Sequence, residues 1–546
     1  VSDPEPAAAP ERQNRSLPGG AIGGLLRRAS TVSFFTTLGV GVGFLVDVLL
    51  VARFGIGAST DAYFGGYTVP LIVVTCVTAI EPVLVTVLAG YREDKSAFSI
   101  LLNAAALAGL AIAVLGVPLA RVLVRTTAPG FSPETAAQAT LLARIFFARV
   151  PATTLTEVCK AELYARRRFG LATFSNIFPG LLSAIVLALP RTCSSIAIVA
   201  ASAVVGSLLQ AAVLVAALLG PLHVRYHFTL RHATPLLGQT GRLLVAPLAG
   251  LLLRQGVVIA ERIFGSCLPA GSVTALSYAS RLTMTVAGIG FDGINTAALP
   301  SLAERWSLGP TREARRELGA LLKFMIAVAL PAGLMVAALA SPLVLLLFQR
   351  GQVDRQGALL MGSLFGVYSL SLLGLGPFRA AQSFFYAAKE MRAIIVLHGG
   401  LTALTVLLDW ILVRRFEAMG LALSFAISSV IIAGVALTWL ARRGGDMGWR
   451  RLADSFWRLA LAALAMAGVA YFLARGLQPA MQLYGGWGLV STLALSGLAG
   501  LGVFLVVGSV LRAEPVSILL RAARIGCNKV ESPPGSPPDT TGGDAG

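Results

Sequence analysis

Apolar runs of roughly 18 to 27 residues recur along this sequence, and nothing else in it constrains the fold so strongly. A run of that length covers a hydrocarbon core of about 30 Å as an α-helix. The expected class is therefore all-α and polytopic, with about 14 transmembrane helices. The candidate spans are 32–52, 63–90, 98–124, 139–164, 171–189, 195–219 and 243–263, then 273–299, 318–340, 359–384, 393–413, 420–440, 456–474 and 489–511. Composition agrees: 56% of the 546 residues are hydrophobic and 13% charged, against about 25% charged in a soluble domain. Pro70, Pro151, Pro247 and Pro331 fall inside spans and are expected to kink them.

The net charge of +18 sits in short loops between the runs. That placement points to the positive-inside rule and to anionic lipid as partner, and away from nucleic acid. Counted over alternate loops, one set carries about 25 lysines and arginines and the other about 9. The rich set includes both termini, so both are expected in the cytoplasm of a bacterium, with the chain in its inner membrane. Residues 1–30 contain no apolar stretch for a signal peptide and read as a disordered cytoplasmic lead, and 528–546, rich in Pro, Gly and Ser, as a disordered tail. No loop exceeds roughly 25 residues, which leaves no room for an extramembrane catalytic domain. The expectation is a protein that is not an enzyme. Five cysteines stand singly, without metal or disulfide spacing, and no metal or cofactor is expected. Gly39, Gly41 and Gly43 read as close helix packing or a hinge.

An internal repeat organises the spans. Leu163, Tyr164 and Ala165 precede arginines much as Phe385, Tyr386 and Ala387 precede Lys389 and Arg392, and Arg53, Phe54, Gly55 are echoed by Arg262, Ile263, Phe264, Gly265. The expected organisation is two parallel six-helix lobes, 31–222 and 237–443, followed by two C-terminal helices within 454–512. Two bundles of this kind form an alternating-access transporter with its site at their interface.

Charges within the spans are the functional candidates, since each costs about 2.5 to 3.5 kcal/mol to place at mid-bilayer. Arg281 and Asp292 lie eleven residues apart, within about 20° on a 3.6-residue helix, and Asn295 falls near the same stripe. This polar face, with Arg144, Arg149, Arg254 and Arg379 on other spans, is the candidate substrate site. Asp47, Glu81 and Asp409 are candidates for coupling to Na+ or H+. Lys160 lies close enough to the cytoplasmic end of its span to snorkel. Asp61, just before an apolar run, reads as the N-cap of the second span.

Two segments carry a family resemblance. The first runs from Asp47 through Arg53, Phe54 and Gly55 to Thr60, Asp61, Ala62, Tyr63, Phe64 and Pro70. The second runs from Glu261, Arg262, Ile263 and Phe264 through Leu268, Pro269, Ala270 and Gly271 to Tyr278, Arg281, Leu299 and Pro300. Both resemble the MurJ/MviN family of lipid II flippases. Weaker echoes occur at Ala128, Pro129, Gly130, Phe131, at Ala143, Arg144, Ile145, Phe146, and at Leu347, Phe348, Gln349, Arg350, Gly351. The resemblance implies the fold of the multidrug/oligosaccharide-lipid/polysaccharide exporter superfamily and a substrate with a polyprenyl tail, a pyrophosphate and a sugar head. Arginine forks suit such phosphates, and Arg281 and Arg144 keep their family positions. The chain departs from the pattern at Val40, Val46 and Val74, where the family carries arginine. Three lost phosphate contacts correspond to about a thousandfold or more in affinity, so the expectation is a polyprenyl-linked substrate that is lipid II or, more in keeping with the losses, an exopolysaccharide repeat unit. The alternatives are a cation-coupled drug antiporter of the same superfamily, which would favour acids over arginines, and a non-transporting scaffold among envelope-synthesis proteins.

Overall fold

The computed structural model describes residues 19–91, 96–189, 195–224, 226–228, 233–307, 309, 311–445 and 447–512. Among them there is no strand. The helices are α1 (Gly19–Phe54), α2 (Ala58–Thr78), α3 (Glu81–Gly90), α4 (Ala97–Thr127), α5 (Pro133–Phe147), α6 (Val150–Ala165), α7 (Phe169–Ser175), α8 (Ile177–Ala188) and α9 (Ile196–Leu219). They continue with α10 (Ala233–Ser266), α11 (Ser272–Ala287), a π-helical turn (Gly288–Asp292), α12 (Gly293–Ser307), α13 (Arg312–Phe348), α14 (Arg355–Ser369), α15 (Leu372–Ala387), α16 (Met391–Gly444), α17 (Trp449–Gly476) and α18 (Gln478–Val510). Helix α1 begins inside the stretch expected to be disordered, while residues 1–18 and 528–546 lie outside the described residues.

This is an all-α polytopic membrane protein. Nine helical stretches among the described residues are long and apolar enough to cross a membrane, and two bent pairs bring the number to as many as eleven. The bends are 48° between Val245 and Leu248, at Pro247, and 41° between Ser369 and Leu372. Helix α16 holds two expected spans, 393–413 and 420–440, across a non-helical residue, Glu417, with φ 48° and ψ −131°. The two other expected spans fall on broken helices. The 139–164 run is split into α5 and α6 at Ala148 and Arg149, close to Pro151, and the 273–299 run is interrupted by the π-turn. Both carry charges, five in the first run and two in the second, whose solvation cost an apolar crossing avoids.

The chain divides into two compact units. The first comprises 1–49, 77–117 and 145–243. Its core gathers Leu84 and Leu88 of α3, Ile100 and Leu101 of α4, Cys159 and Leu163 of α6, and Leu214 and Leu218 of α9. Water exclusion contributes little between helices in lipid, so close approach at small residues matters more. A Cβ on Gly206 would lie 2.6 Å from Pro179 Cα, and one on Gly116 would lie 2.4 Å from the Phe147 ring. Gly39, Gly41 and Gly43 are different: nothing lies within 4 Å of where their Cβ atoms would be, so no neighbour requires the missing side chain there.

The second unit comprises 50–76, 118–144 and 244–546. Phe291, Leu322, Met325, Phe378, Phe384, Phe385, Leu397 and Leu440 make its main core. Gly374 of α15 meets the Ser429 carbonyl of α16, where a Cβ would come within 2.4 Å. On α17 and α18, Phe472 (72% exposed), Trp487 (82%) and Leu498 (68%) present the apolar surface that lipid covers.

Candidate functional site

In the first unit Glu81 and Glu157 converge on Lys160. Its Nζ donates to both Glu157 oxygens at 3.1 Å and lies 2.7 Å from Glu81 Oε2. Lys160 is 6% and Glu157 4% exposed. The expected snorkelling is therefore corrected: the side chain turns inward because two carboxylates on α3 and α6 offset its desolvation. Glu157 stands one helical turn from Lys160, the i,i+3 spacing that brings side chains together, and its place in the cluster was readable from that spacing. Arg149 stands at the break between α5 and α6 with a buried Nε that makes no hydrogen bond. Asp47 of α1 is buried.

In the second unit Asp61 overturns its expected role. Thr60 serves the local turn, its hydroxyl accepting from Gly57 N at 3.0 Å. The Asp61 carboxylate instead accepts from Gly271 N at 2.6 Å, Thr274 N at 2.7 Å and Thr274 Oγ1 at 2.6 Å. It thus satisfies free N–H groups at the start of α11, a helix more than 200 residues away in sequence. Gly271, at φ +94°, supplies the left-handed turn that presents these amides. Beside the cap, the Arg262 guanidinium sits 5.9 Å from the Phe64 ring centroid and donates to Val273 O at 3.3 Å. Phe64 packs edge-on against Tyr278. Asp61, Phe64, Arg262, Gly271 and Tyr278, drawn from both quoted segments, thereby form one clasp.

A polar path leads from the clasp into the helices behind it. Arg262 Nη1 lies 3.5 Å from Glu261 Oε1, and Tyr368 Oη donates to Glu261 Oε2 at 2.6 Å. Asp409, 2% exposed, accepts from the Ser424 hydroxyl, and its charge interacts with that of Glu261. Arg414, one turn beyond Trp410, stacks 4.5 Å over its ring. Glu261, Tyr368 and Ser424 escaped the sequence reading; only Glu261, adjacent to Arg262 in the quoted motif, gave a signal.

Two cations of this unit lie near one another on other helices. The charges of Arg254 on α10 and Arg379 on α15 repel one another, and Arg254 also acts on His398 of α16. Packing explains the convergence: Thr402, one turn after His398, donates to Leu253 O at 2.8 Å, and Phe378 lies edge-on to the His398 ring at 5.5 Å. Ser383, one turn beyond Arg379, donates to Asn295 Oδ1 at 2.5 Å. Three expected site residues, Arg254, Arg379 and Asn295, thus share a neighbourhood with His398 and Ser383, which the sequence did not flag.

Arg281 and Arg144 are exposed on α11 and α5. A π-turn lies between Arg281 and Asn295, and its extra residue rotates α12 by about 100° from the straight-helix register on which the expected stripe was counted. The Asp292 side chain lies outside the described residues. Among the described residues no group of three or more His, Cys, Asp or Glu is placed to hold a metal.

Comparison with known proteins bears on these positions. The family model described as lipid II flippase MurJ matches residues 50–485. The chain is 27% identical over 428 residues to the probable lipid II flippase MurJ of Buchnera aphidicola subsp. Acyrthosiphon pisum, covering 74% of this chain and 81% of that protein. It is 24% identical over 475 residues to the lipid II flippase MurJ of Burkholderia cenocepacia, covering 82% and 90%. Among solved structures, a lipid II flippase MurJ in an inward closed conformation superposes with a TM-score of 0.73 at 19% identity, covering 89% of this chain and 99% of that one. An inward-facing multidrug resistance MATE transporter of the MOP superfamily gives 0.63 at 16% identity, with 74% and 94% covered. At those identities the structures bear on the fold alone.

Proposed function

The chain belongs to the lipid II flippase MurJ family, and from that premise we propose that it translocates a polyprenyl-pyrophosphate-linked saccharide across the bacterial inner membrane by alternating access. The observation that carries this reading is the family match over residues 50–485. The cations it leaves within apolar helices add support. On this reading the two six-helix lobes with two C-terminal helices make fourteen crossings, counting the broken charged helices, with both termini in the cytoplasm. Arg254, Arg379 and Arg281 supply positive charge for the diphosphate, and Asn295 and Ser383 supply hydrogen bonds to its sugar. Arg144 and Arg149 serve from the α5–α6 helices. Low dielectric strengthens each arginine-phosphate pair. Asp409, backed by Glu261, Tyr368 and Ser424, is the position for a coupling Na+ or H+, with Asp47 and Glu81 as further candidates. The protein moves its substrate and makes no covalent change to it.

Lipid II is the cargo that the family description names. A second reading, an exopolysaccharide repeat unit, is favoured by Val40, Val46 and Val74 at the arginine positions of the family; Val40 is 56% exposed, with no guanidinium to offer there. Expression in cells depleted of their own lipid II flippase separates the two. Rescue of growth, lost in Arg281→Ala at equal membrane abundance, identifies lipid II. Absence of rescue, together with loss of a surface polysaccharide on deletion of the gene, identifies the repeat unit. If deletion affects neither envelope polymer and rescue fails, the transport reading is wrong.

A further inference from the structure

Two carboxylates share one ammonium in the first unit, and their charges do not balance. Glu81 and Glu157 both bind Lys160 Nζ. With all three groups ionised the cluster carries one net negative charge among packed helices, where an uncompensated charge is strongly disfavoured. Among the described residues, the helices packed on the cluster bring no further cation. Glu81 is the sole charged residue of α3; α7, α9 and the 97–117 part of α4 have none. Glu162 of α6 and Arg166 just beyond it pair with each other at 2.5 Å, and Tyr164 and the buried Cys159, the other titratable side chains of α6, are neutral when protonated. Arg149 is eleven residues from Lys160 at the opposite end of α6, about 16 Å along the axis. Arg242 and His227 of this unit are exposed. Glu81 keeps 24% of its side-chain surface open, against 5% for Glu157.

We propose that Glu81, Glu157 and Lys160 form a proton-binding site in which one proton, held between the two carboxyl groups, brings the cluster to neutrality. Glu81 is the member through which that proton exchanges with water. Both carboxyl groups contact the same Nζ, at 2.7 and 3.1 Å, which sets them side by side, the arrangement a shared proton requires. If the chain transports as proposed above, this site is a coupling position separate from Asp409; that consequence rests on the flippase reading, whereas proton binding does not.

Charge arithmetic gives a sharp test. Replacing either glutamate by glutamine leaves a neutral lysine-carboxylate pair with no proton to hold, so each single change abolishes the bound proton instead of halving it. The measurement is infrared difference spectroscopy of the full chain in lipid vesicles, titrated in H2O and D2O and read at the exchangeable protonated-carboxyl stretch. The amide bands of the same spectra report folding. The expected result is complete loss of one band component in Glu81→Gln and likewise in Glu157→Gln, with that component intact in Glu134→Gln, an exposed acid of α5. Retention of the component in either folded variant, or loss of half in each, overturns the proposal. So does a wild-type cluster that shows no such component and instead a sodium-dependent carboxylate shift at fixed pH. None of these readouts needs a substrate, so failure here is distinct from failure of the transport assay.

Discussion

Replacing Asp61 by alanine removes three hydrogen bonds at once from the start of α11. The acceptor is 4% exposed and Thr274 is fully buried, so no water replaces it. Two backbone amides, Gly271 N and Thr274 N, are left without partners. A buried unsatisfied donor costs about 1–3 kcal/mol and a lost N-cap about 0.5–2 kcal/mol. Those ranges overlap in what they describe, so the expected loss is about 3–5 kcal/mol. Asp61→Asn keeps one carbonyl oxygen as acceptor and should lose about 1–2 kcal/mol. The assay is denaturant unfolding of the full chain in detergent, measured for Asp61→Ala, Thr274→Ala and the double variant. If Asp61 caps α11, the two single effects overlap and the double variant is less destabilised than their sum. A loss below about 1 kcal/mol for Asp61→Ala, or additivity within about 0.5 kcal/mol, would refute the cap and return Asp61 to a local role at α2.

Two further outcomes are expected. Lys160→Ala should be strongly destabilising, by about 3–5 kcal/mol, because it strands the buried Glu157 carboxylate beside the half-buried one of Glu81; the same change combined with Glu157→Gln should recover membrane abundance, and unchanged abundance in the single variant would return Lys160 to the solvated edge. Reporter fusions after Val124 and after Leu511 should report opposite faces of the membrane, as the cation asymmetry of alternate loops requires; reports from the same face would break the map.

Where sequence reasoning succeeded and failed can be traced to particular residues. Pro151 signalled the break at Arg149, whereas the π-turn at Gly288–Asp292 was invisible to a periodicity argument, which assumes about 3.6 residues per turn throughout. Arg254 and Arg379 were legible as costly intramembrane charges, but their meeting with His398 depends on α10, α15 and α16 packing side by side. Asp61 is the clearest failure: a carboxylate ahead of an apolar run reads as its cap, and no local pattern says that a second helix start 210 residues later will compete for it. Lys160 failed similarly, since distance to the membrane edge was weighed without Glu81 opposite.

By itself, then, the sequence determined what depends on length and composition: helices long enough to span lipid, and the positions where charge is costly to place among them. These are additive properties of single segments, set by transfer energies that each residue carries wherever it goes. Tertiary structure alone decided the pairings: Asp61 with α11, Lys160 between two glutamates, Asp409 with Ser424, Ser383 with Asn295. A buried charge is settled by whichever partner packing brings within about 3 Å, and that partner lies on another helix, at a distance in sequence that no local rule encodes.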